Sequence, residues 1–531
     1  MTERCSDRVA TALKDRGVRR VYGIPGGETV HMVDSLESHG LEMVITRHEN
    51  SAAFMGLVGA RYDRHIGVCL TTIGPGAANV VMGAATATLD FAPLLVMTGE
   101  LPLEERGHPR KQCVDQRSMF APVTKGSFEA DPKDPYRICT TAMDLAESER
   151  PGAVHLSLPA DVMAMDWKGS YAEEAPSHES ENVAHDLGAA IEMIYASKRP
   201  LALIGAGVIR AGATDTVRDF IHSNRIPALH TWQGSGVVPF DDSMSLHTVG
   251  LPCNKIPMQC IEEADLIITI GYDEQEFQPS IWNPDGGKKV LHISRNPPQT
   301  VPSYSPFPVI GGIAPIMGSL QGIRPPGSNW ADAHRMEYEE HISREQPGDD
   351  GIDPVAAIKE LRKRMGGSVV VSDVGAHMLW LAEYLPPPNE RSLIISNGMI
   401  PMGMGLAGAI GVAFTDPGVH SMTVTGDAGL LMCIAELQTA LEHDLPVTSL
   451  VWNDAALGLI DTRHCLALDR GPAYRLERTD MARVAESLGA KGIVVDRLSQ
   501  LGDALDEARR SDLPTVIDMR VDYSRNRSLL V

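Results

Sequence analysis

The chain has 531 residues, 43% hydrophobic and 22% charged, which is too long for one hydrophobic core and fits about three domains. A formal charge of −22 argues against a nucleic acid or an anionic membrane as partner. No stretch approaches the ~18 uninterrupted apolar residues of a membrane span, and the opening MTERCSDRVATALKDRG has the spacing of an amphipathic helix, not of a signal peptide. Eight scattered cysteines lack metal-ligand spacing; several sit in apolar runs and are expected as reduced, buried thiols in a cytoplasmic enzyme.

Strand-like and helix-like runs alternate from the first residues on, the pattern of α/β domains with mainly parallel sheets. The first segment, 1–167, holds VYGIPGG (21–27), LEMVITRHENSAAFMGLVGAR (41–61), VCLTTIGPGAANVVMGAATA (68–87) and PLLVMTGE (93–100). A polar stretch over roughly 168–186 reads as a linker to a middle segment, 187–323, containing LALIGAGVI, LIITIGYDEQEFQPSIWN and KVLHIS. A second polar stretch, roughly 324–352, leads to 353–531, with SVVVSDVGAHMLW, ISNGMIPMGMGLAGAIGVA and GDAGL followed by MCIAELQTALEHDLPVTSLVWND. The first and third segments are of similar scale, as two related domains sharing a cofactor would be.

Two features carry chemistry on their own residues. Glu49 follows the apolar run MVIT and precedes the small residues SAAFMG, so a strand-to-helix junction is expected to hold it buried or in a cleft. Burial disfavours the charged form of a carboxyl, which suits proton exchange, although a surface Glu near a helix start has the same local sequence. Asp427 and Asp454, 27 residues apart, each close a strand-like run. In a strand–helix–strand unit those strand ends lie side by side, so the two acids converge at one sheet edge. The small residues Gly426, Ala428 and Gly429 would let backbone amides approach a phosphate, and a hard divalent cation could bridge that phosphate to both acids. An ordinary unit with a polar turn would read alike.

The 426–454 spacing resembles the diphosphate-binding motif of thiamine diphosphate (ThDP) enzymes, which opens Gly-Asp-Gly and closes Asn-Asn; here Ala428 and Asp454 depart from it. RHENSAAFMG resembles the same family's activating-glutamate motif, in which the acid bonds the aminopyrimidine and drives the imino tautomer that activates the thiazolium carbon. The resemblance covers essentially the whole chain and implies three doubly wound domains: pyrimidine-binding, central and diphosphate-binding. It implies ThDP and Mg²⁺ as cofactors, with the cation held by Asp427, Asp454 and the carbonyl of Ala456. VYGIPGG would set Pro25 and Gly27 against the thiazolium, and TTIGPGAAN would bring Thr72, Gly76 and Asn79 to the cofactor. Gly375, Ala376 and His377 of DVGAH match the first diphosphate loop. In SNGMIPMG, Asn397 and Gly398 would embrace the aminopyrimidine, with the Gly398 carbonyl accepting from its amine and Met402 forcing the cofactor to bend. In the family the glutamate and the metal motif of one site come from different subunits, so a homodimer with shared sites, assembled further to a homotetramer, is expected.

IGYDEQEFQPSIWN, SNGMIPMG, SLVWND and VIDMRVDYS each resemble the catabolic, flavin-independent acetolactate synthases. That implies decarboxylation of a 2-oxo acid, expected to be pyruvate, and transfer of the acyl anion equivalent to a second carbonyl. Gln112 matches a glutamine facing cofactor and substrate. Two substrate-facing positions depart: Glu28 replaces a Lys thought to attract the pyruvate carboxylate, and Lys111 replaces His or Phe; in the lid, Arg463 falls near a selectivity Trp of biosynthetic relatives, where it could hold an anionic acceptor or simply be a solvated lid Arg. A specialised carboligase or decarboxylase with another donor or acceptor therefore stands as the alternative. GAGVIRAG (205–212) fits a dinucleotide fingerprint only superficially, and an empty middle domain is expected.

Overall fold

Eighteen parallel-paired strands among the described residues form three six-stranded sheets. The computed structural model describes residues 3–105, 108, 110–169, 187–250, 255–327, 329–343, 351–385 and 387–523. The first sheet contains β1 (Arg20–Ile24), β2 (Glu42–Ile45), β3 (Gly67–Thr71), β4 (Leu94–Glu100), β5 (Ser127–Glu129) and β6 (Ala153–Pro159), in the order β2-β1-β3-β4-β6-β5. The middle sheet contains β7 (Pro200–Ile204), β8 (Ala228–Thr231), β9 (Ser245–Val249), β10 (Leu266–Ile270), β11 (Val290–Ser294) and β12 (Phe307–Ile310), ordered β12-β11-β10-β7-β8-β9. The last contains β13 (Ser368–Ser372), β14 (Leu393–Ile394), β15 (His420–Gly426), β16 (Thr448–Asn453), β17 (Lys491–Val495) and β18 (Thr515–Arg520), ordered β14-β13-β15-β16-β18-β17.

The first and last sheets thus share one strand order, the two related domains that the segment lengths suggest. β3, β13 and β16 are buried along their whole length, as helices on both faces of a parallel sheet require. In each outer sheet the order reverses between the first and third strands of the domain. Loops leaving those strands open a crevice at their carboxyl ends, where α/β sheets bind ligands.

The outer domains meet through the helices Glu49–Asp63 and Met404–Thr415. Glycines bring these helices close: a Cβ on Gly411 would lie 2.3 Å from the Met55 carbonyl oxygen, and one on Gly408 would lie 2.9 Å from Val58 Cγ2. Phe54, Val58, Leu406 and Ile410 belong to one buried cluster that continues into both outer sheets. The middle sheet packs on its own clusters.

The opening segment forms the helix Cys5–Asp15, burying Val9, Ala12 and Leu13. Of the 168–186 linker, residues 170–186 lie outside the described residues. The 324–352 stretch is more than a linker. It carries the helix Asp332–Ser343, docked by Tyr338, whose hydroxyl donates to the Glu383 carbonyl at 2.9 Å and whose ring stacks on His247 at 4.0 Å. One buried aromatic in a polar helix leaves no periodic apolar signal.

Candidate active site

The first domain builds a compact polar cluster at the β1–β3 crevice. Glu49 begins its helix directly after the β2 turn, is 7% exposed, and accepts a hydrogen bond from Asn79 Nδ2 at 2.9 Å. A Cβ on Gly76 would lie 3.3 Å from Glu49 Oε1 and 2.7 Å from Thr72 Cγ2, so glycine there leaves the carboxylate room. Thr72 Oγ1 and the Ile73 N–H both donate to Glu28 Oε1, at 2.7 and 2.8 Å. Gly26 is small because a Cβ would lie 2.1 Å from Thr72 Oγ1, whereas nothing lies within 4 Å of the corresponding point at Gly27. The Pro25–Gly27 turn therefore presents an open backbone face. Gln112, left-handed at φ 63°, lies over Gly74 with its carbonyl oxygen 2.7 Å from where a Cβ would sit.

The third domain builds the complementary half at the β13–β15 crevice. Asp427 is 3% exposed, and its Oδ1 accepts the Ala428 N–H at 2.9 Å. Its carboxylate also accepts from the Ala455 N–H, and Asp454 accepts from that of Ala456, so the 454–456 turn ties the acids together. Burial raises both carboxyls; Asp454 reaches about 7 by burial and by the like charge of Asp427. Gly458 is required here, since a Cβ would lie 2.2 Å from Asp454 Oδ2. A buried acid and a half-buried neighbour that disfavour each other's charge are what a hard divalent cation relieves. No group of three or more His, Cys, Asp or Glu side chains suited to a metal occurs among the described residues. The donor set fits a cation completed by a carbonyl and by oxygens of a bound molecule.

Beside the acids, His377 Nε2 donates to the Asp373 carbonyl at 3.0 Å, and burial lowers the imidazole to about 4, so it is neutral. Gly375 is small because a Cβ would lie 2.7 Å from His377 Cε1, while Gly426 leaves 3.8 Å to the same ring. One small residue serves a purpose other than phosphate approach: a Cβ on Gly429 would lie 2.5 Å from Asp373 Oδ2. Asp373 is itself a fully enclosed hub, accepting from the Val374 and Gly403 N–H groups and from Thr425 Oγ1. Met402 is half-buried in the 396–403 loop. Asn397 and Gly398 are held from the first domain, because Asp90 Oδ1 accepts their N–H groups at 3.1 and 2.7 Å.

Asp90, Asp373 and Glu436 were not evident as site-supporting residues in the sequence; the only signal is an acid at the end or start of a small-residue or apolar run. Lys111 and Arg463 are exposed, and neither pairs with Glu28. No hydrogen bond or ion pair among the described residues joins Glu49 to Asp427 or Asp454. In the middle domain the first two glycines of GAGVIRAG serve packing: a Cβ on Gly205 or Gly207 would lie 2.5–2.6 Å from the Gly271 carbonyl oxygen. The Ala206 N–H of that turn donates to the Glu276 carboxylate at 3.1 Å.

Three family models match the chain: the N-terminal TPP binding domain of thiamine pyrophosphate enzymes over residues 3–119, the central domain over 187–320, and the C-terminal TPP binding domain over 373–519. The chain is 31% identical to an acetolactate synthase of Bacillus subtilis, covering 99% of this chain and 94% of that protein. It is 28% identical to a catabolic acetolactate synthase of Raoultella terrigena, over 99% and 96% of the two chains. With the acetolactate synthase isozyme 3 large subunit of Escherichia coli it shares 29% identity over 98% and 95%.

Proposed function

Because the chain belongs to the thiamine pyrophosphate enzymes, and is a ThDP-dependent enzyme, we propose that with Mg²⁺ it decarboxylates pyruvate and joins the acyl anion equivalent to a second carbonyl compound. The observation that carries this reading is Glu49, a carboxylate enclosed at a strand-to-helix junction and oriented by Asn79. ThDP, when bound, supplies the electron sink for decarboxylation.

The protein's part is positioning and proton control. Glu49 would hold or yield a proton at the aminopyrimidine, with one of its carboxylate oxygens fixed by the Asn79 amide. The open backbone at Gly27 admits a flat group at contact distance. Asp427, Asp454 and the Ala456 carbonyl would hold Mg²⁺, and Gly375, Ala376, His377, Gly426 and Ala428 would line the diphosphate. Asn397, Gly398 and Met402 would support the aminopyrimidine, and Gln112, above Gly74, would face the substrate.

Glu49 and the acid pair lie on separate halves of the chain, which favours sites completed by a second copy. Met399, Ile400, Leu431 and Met432 are exposed hydrophobics on the loop and helix beside the diphosphate half, Met432 at 62%. A partner subunit covering them would form the homodimer, and paired dimers the tetramer. Release of CO₂ from pyruvate by the purified enzyme with ThDP and Mg²⁺, absent without either, tests the function. No release under those conditions refutes it.

A further inference from the structure

The three domains meet around a cavity of about 180 Å³, walled by Arg61, Arg64 and Asp90 of the first domain, Arg210 and Gln233 of the middle domain and Arg391 of the third. It is smaller than the roughly 300–1,000 Å³ of pockets for drug-sized ligands, which excludes a dinucleotide and leaves room for a small ion. Its charge is unbalanced. Each acid of the wall already has a cation: Asp90 has Arg61 at 3.6 Å, Glu147 has Arg16 at 2.5 Å, Glu149 has Arg210 at 3.7 Å and Glu390 has Arg218 at 3.5 Å. Arg64 and Arg391 form no ion pair among the described residues. Arg64 Nη1 donates only to the Ile209 carbonyl at 3.4 Å, and the Arg391 guanidinium lies 5.9 Å from the centre of the Tyr62 ring.

The wall also holds polar atoms without hydrogen-bond partners. Arg210 Nε and Nη1 are enclosed donors lacking an acceptor, and Asp90 Oδ2 is an enclosed acceptor lacking a donor. Asp90 cannot turn to remedy this, because its Oδ1 already accepts from the Asn397 and Gly398 N–H groups and from Gln233 Nε2. Buried polar atoms are normally paired with protein, water or a bound molecule. A molecule that pairs all of these must be an anion that accepts several hydrogen bonds and donates one.

We propose that this cavity is a binding site for inorganic phosphate. Its oxygens accept from Arg210 and, from the other two domains, from Arg64 and Arg391, while its P–OH donates to Asp90 Oδ2. Hydrogen bonds from guanidinium to phosphate are among the strong ones. Sulfate and carboxylates supply acceptors but no donor, and they meet Asp90 Oδ2 as a like charge. A phosphomonoester, with a second pKa of about 6, has lost its P–OH above neutral pH, whereas inorganic phosphate keeps one in both its ionised forms. None of residues 426–429 or 454–456 lines the cavity, so it is distinct from the diphosphate half of the candidate active site. Asp90 joins the two, since it also holds the loop of Asn397 and Gly398.

The test is calorimetric titration of the holoenzyme at about pH 7.5 with inorganic phosphate, sulfate or glycerol phosphate, in a buffer free of other oxyanions. Saturating ThDP and Mg²⁺ keep the diphosphate half filled. One phosphate per chain is expected, with sulfate and glycerol phosphate each weaker by about tenfold or more. Arg64 is exposed and Arg391 half-buried, so the double variant Arg64→Ala, Arg391→Ala should keep the wild-type unfolding midpoint in phosphate-free buffer. Its phosphate affinity should fall by about tenfold or more. No saturable uptake of phosphate overturns the proposal, as does sulfate or glycerol phosphate binding as tightly as phosphate. A double variant that binds phosphate like the wild type overturns it too. None of these readouts depends on the carboligation proposed above.

Discussion

Glu436, from the third domain, accepts the backbone N–H of His48, the residue before Glu49, at 3.1 Å. The same Oε1 takes the Arg47 N–H at 3.0 Å, and Oε2 takes Thr439 Oγ1 at 2.8 Å. The side chain is fully buried at the start of the helix Glu436–Glu442, which follows the helix Asp427–Cys433. The junction that aims Glu49 is thus held by the segment that carries Asp427. Glu436→Ala removes the acceptor from the Arg47 and His48 N–H groups, at about 1 kcal/mol each. Displacement of Glu49 on the ångström scale should lower kcat about a hundredfold. Glu436→Gln, which keeps one acceptor oxygen, should recover part of both losses. Thermal unfolding and steady-state kinetics measure the two effects, and a Glu436→Ala enzyme of wild-type kcat would remove the positioning role.

Glu49→Gln preserves shape and the Asn79 contact while removing the exchangeable proton. It should bind ThDP with little change and turn over about 10²–10⁴-fold more slowly. Calorimetric titration with ThDP, set beside CO₂ release, separates the two quantities. Equal losses in binding and turnover would assign Glu49 to cofactor binding alone.

Treatment with a strong chelator followed by gel filtration should abolish activity, and Mg²⁺ should restore it. Asp427→Asn removes one of two charged ligands and should raise the Mg²⁺ concentration needed for half-maximal activity by tenfold or more, about 1.4 kcal/mol. Undiminished activity after chelation would dispose of the metal assignment.

Asp373 gives a pH signature. Burial holds its carboxyl at about 6, against 3.8 for an unperturbed Asp, despite the hydrogen bonds from Thr425, Val374 and Gly403 that oppose the shift. The folded state therefore binds this proton more tightly than the unfolded state. Its contribution to stability is fully present below the unfolded value and is lost as pH rises toward 6, by about 3 kcal/mol at most. Asp373→Asn cannot ionise, so unfolding midpoints of the two proteins should diverge between pH 4 and 6 in favour of the variant. Parallel curves across that range would contradict the assignment.

The buried β-branched runs made the strands legible, and acids placed directly after such runs made Glu49, Asp427 and Asp454 legible as well. Those residues owe their position to the nearest strand end, which is local information. Asp90, Asp373 and Glu436 owe theirs to backbone N–H groups in other parts of the fold; Glu436 and His48 are 388 residues apart. No pattern of side chains announces such a bond. Glu28 shows the intermediate case. Its charge is visible in GIPGGE, but its anchoring depends on Thr72 and on the space left by Gly99. In GAGVIRAG, Gly205 and Gly207 answer to Gly271 of a neighbouring loop, another relationship that the local sequence does not announce.

The apolar cluster shared by the helices Glu49–Asp63 and Met404–Thr415 bears on how the molecule comes apart. Neither outer sheet can lose its packing without exposing the other's, since Phe54 and Ile410 lie in one continuous interior. The first and third domains should therefore melt as a single cooperative unit although more than 200 residues of sequence separate their strands. The middle sheet, closed around Ile204, Ile268 and Leu291, has its own interior and should give a separate calorimetric transition.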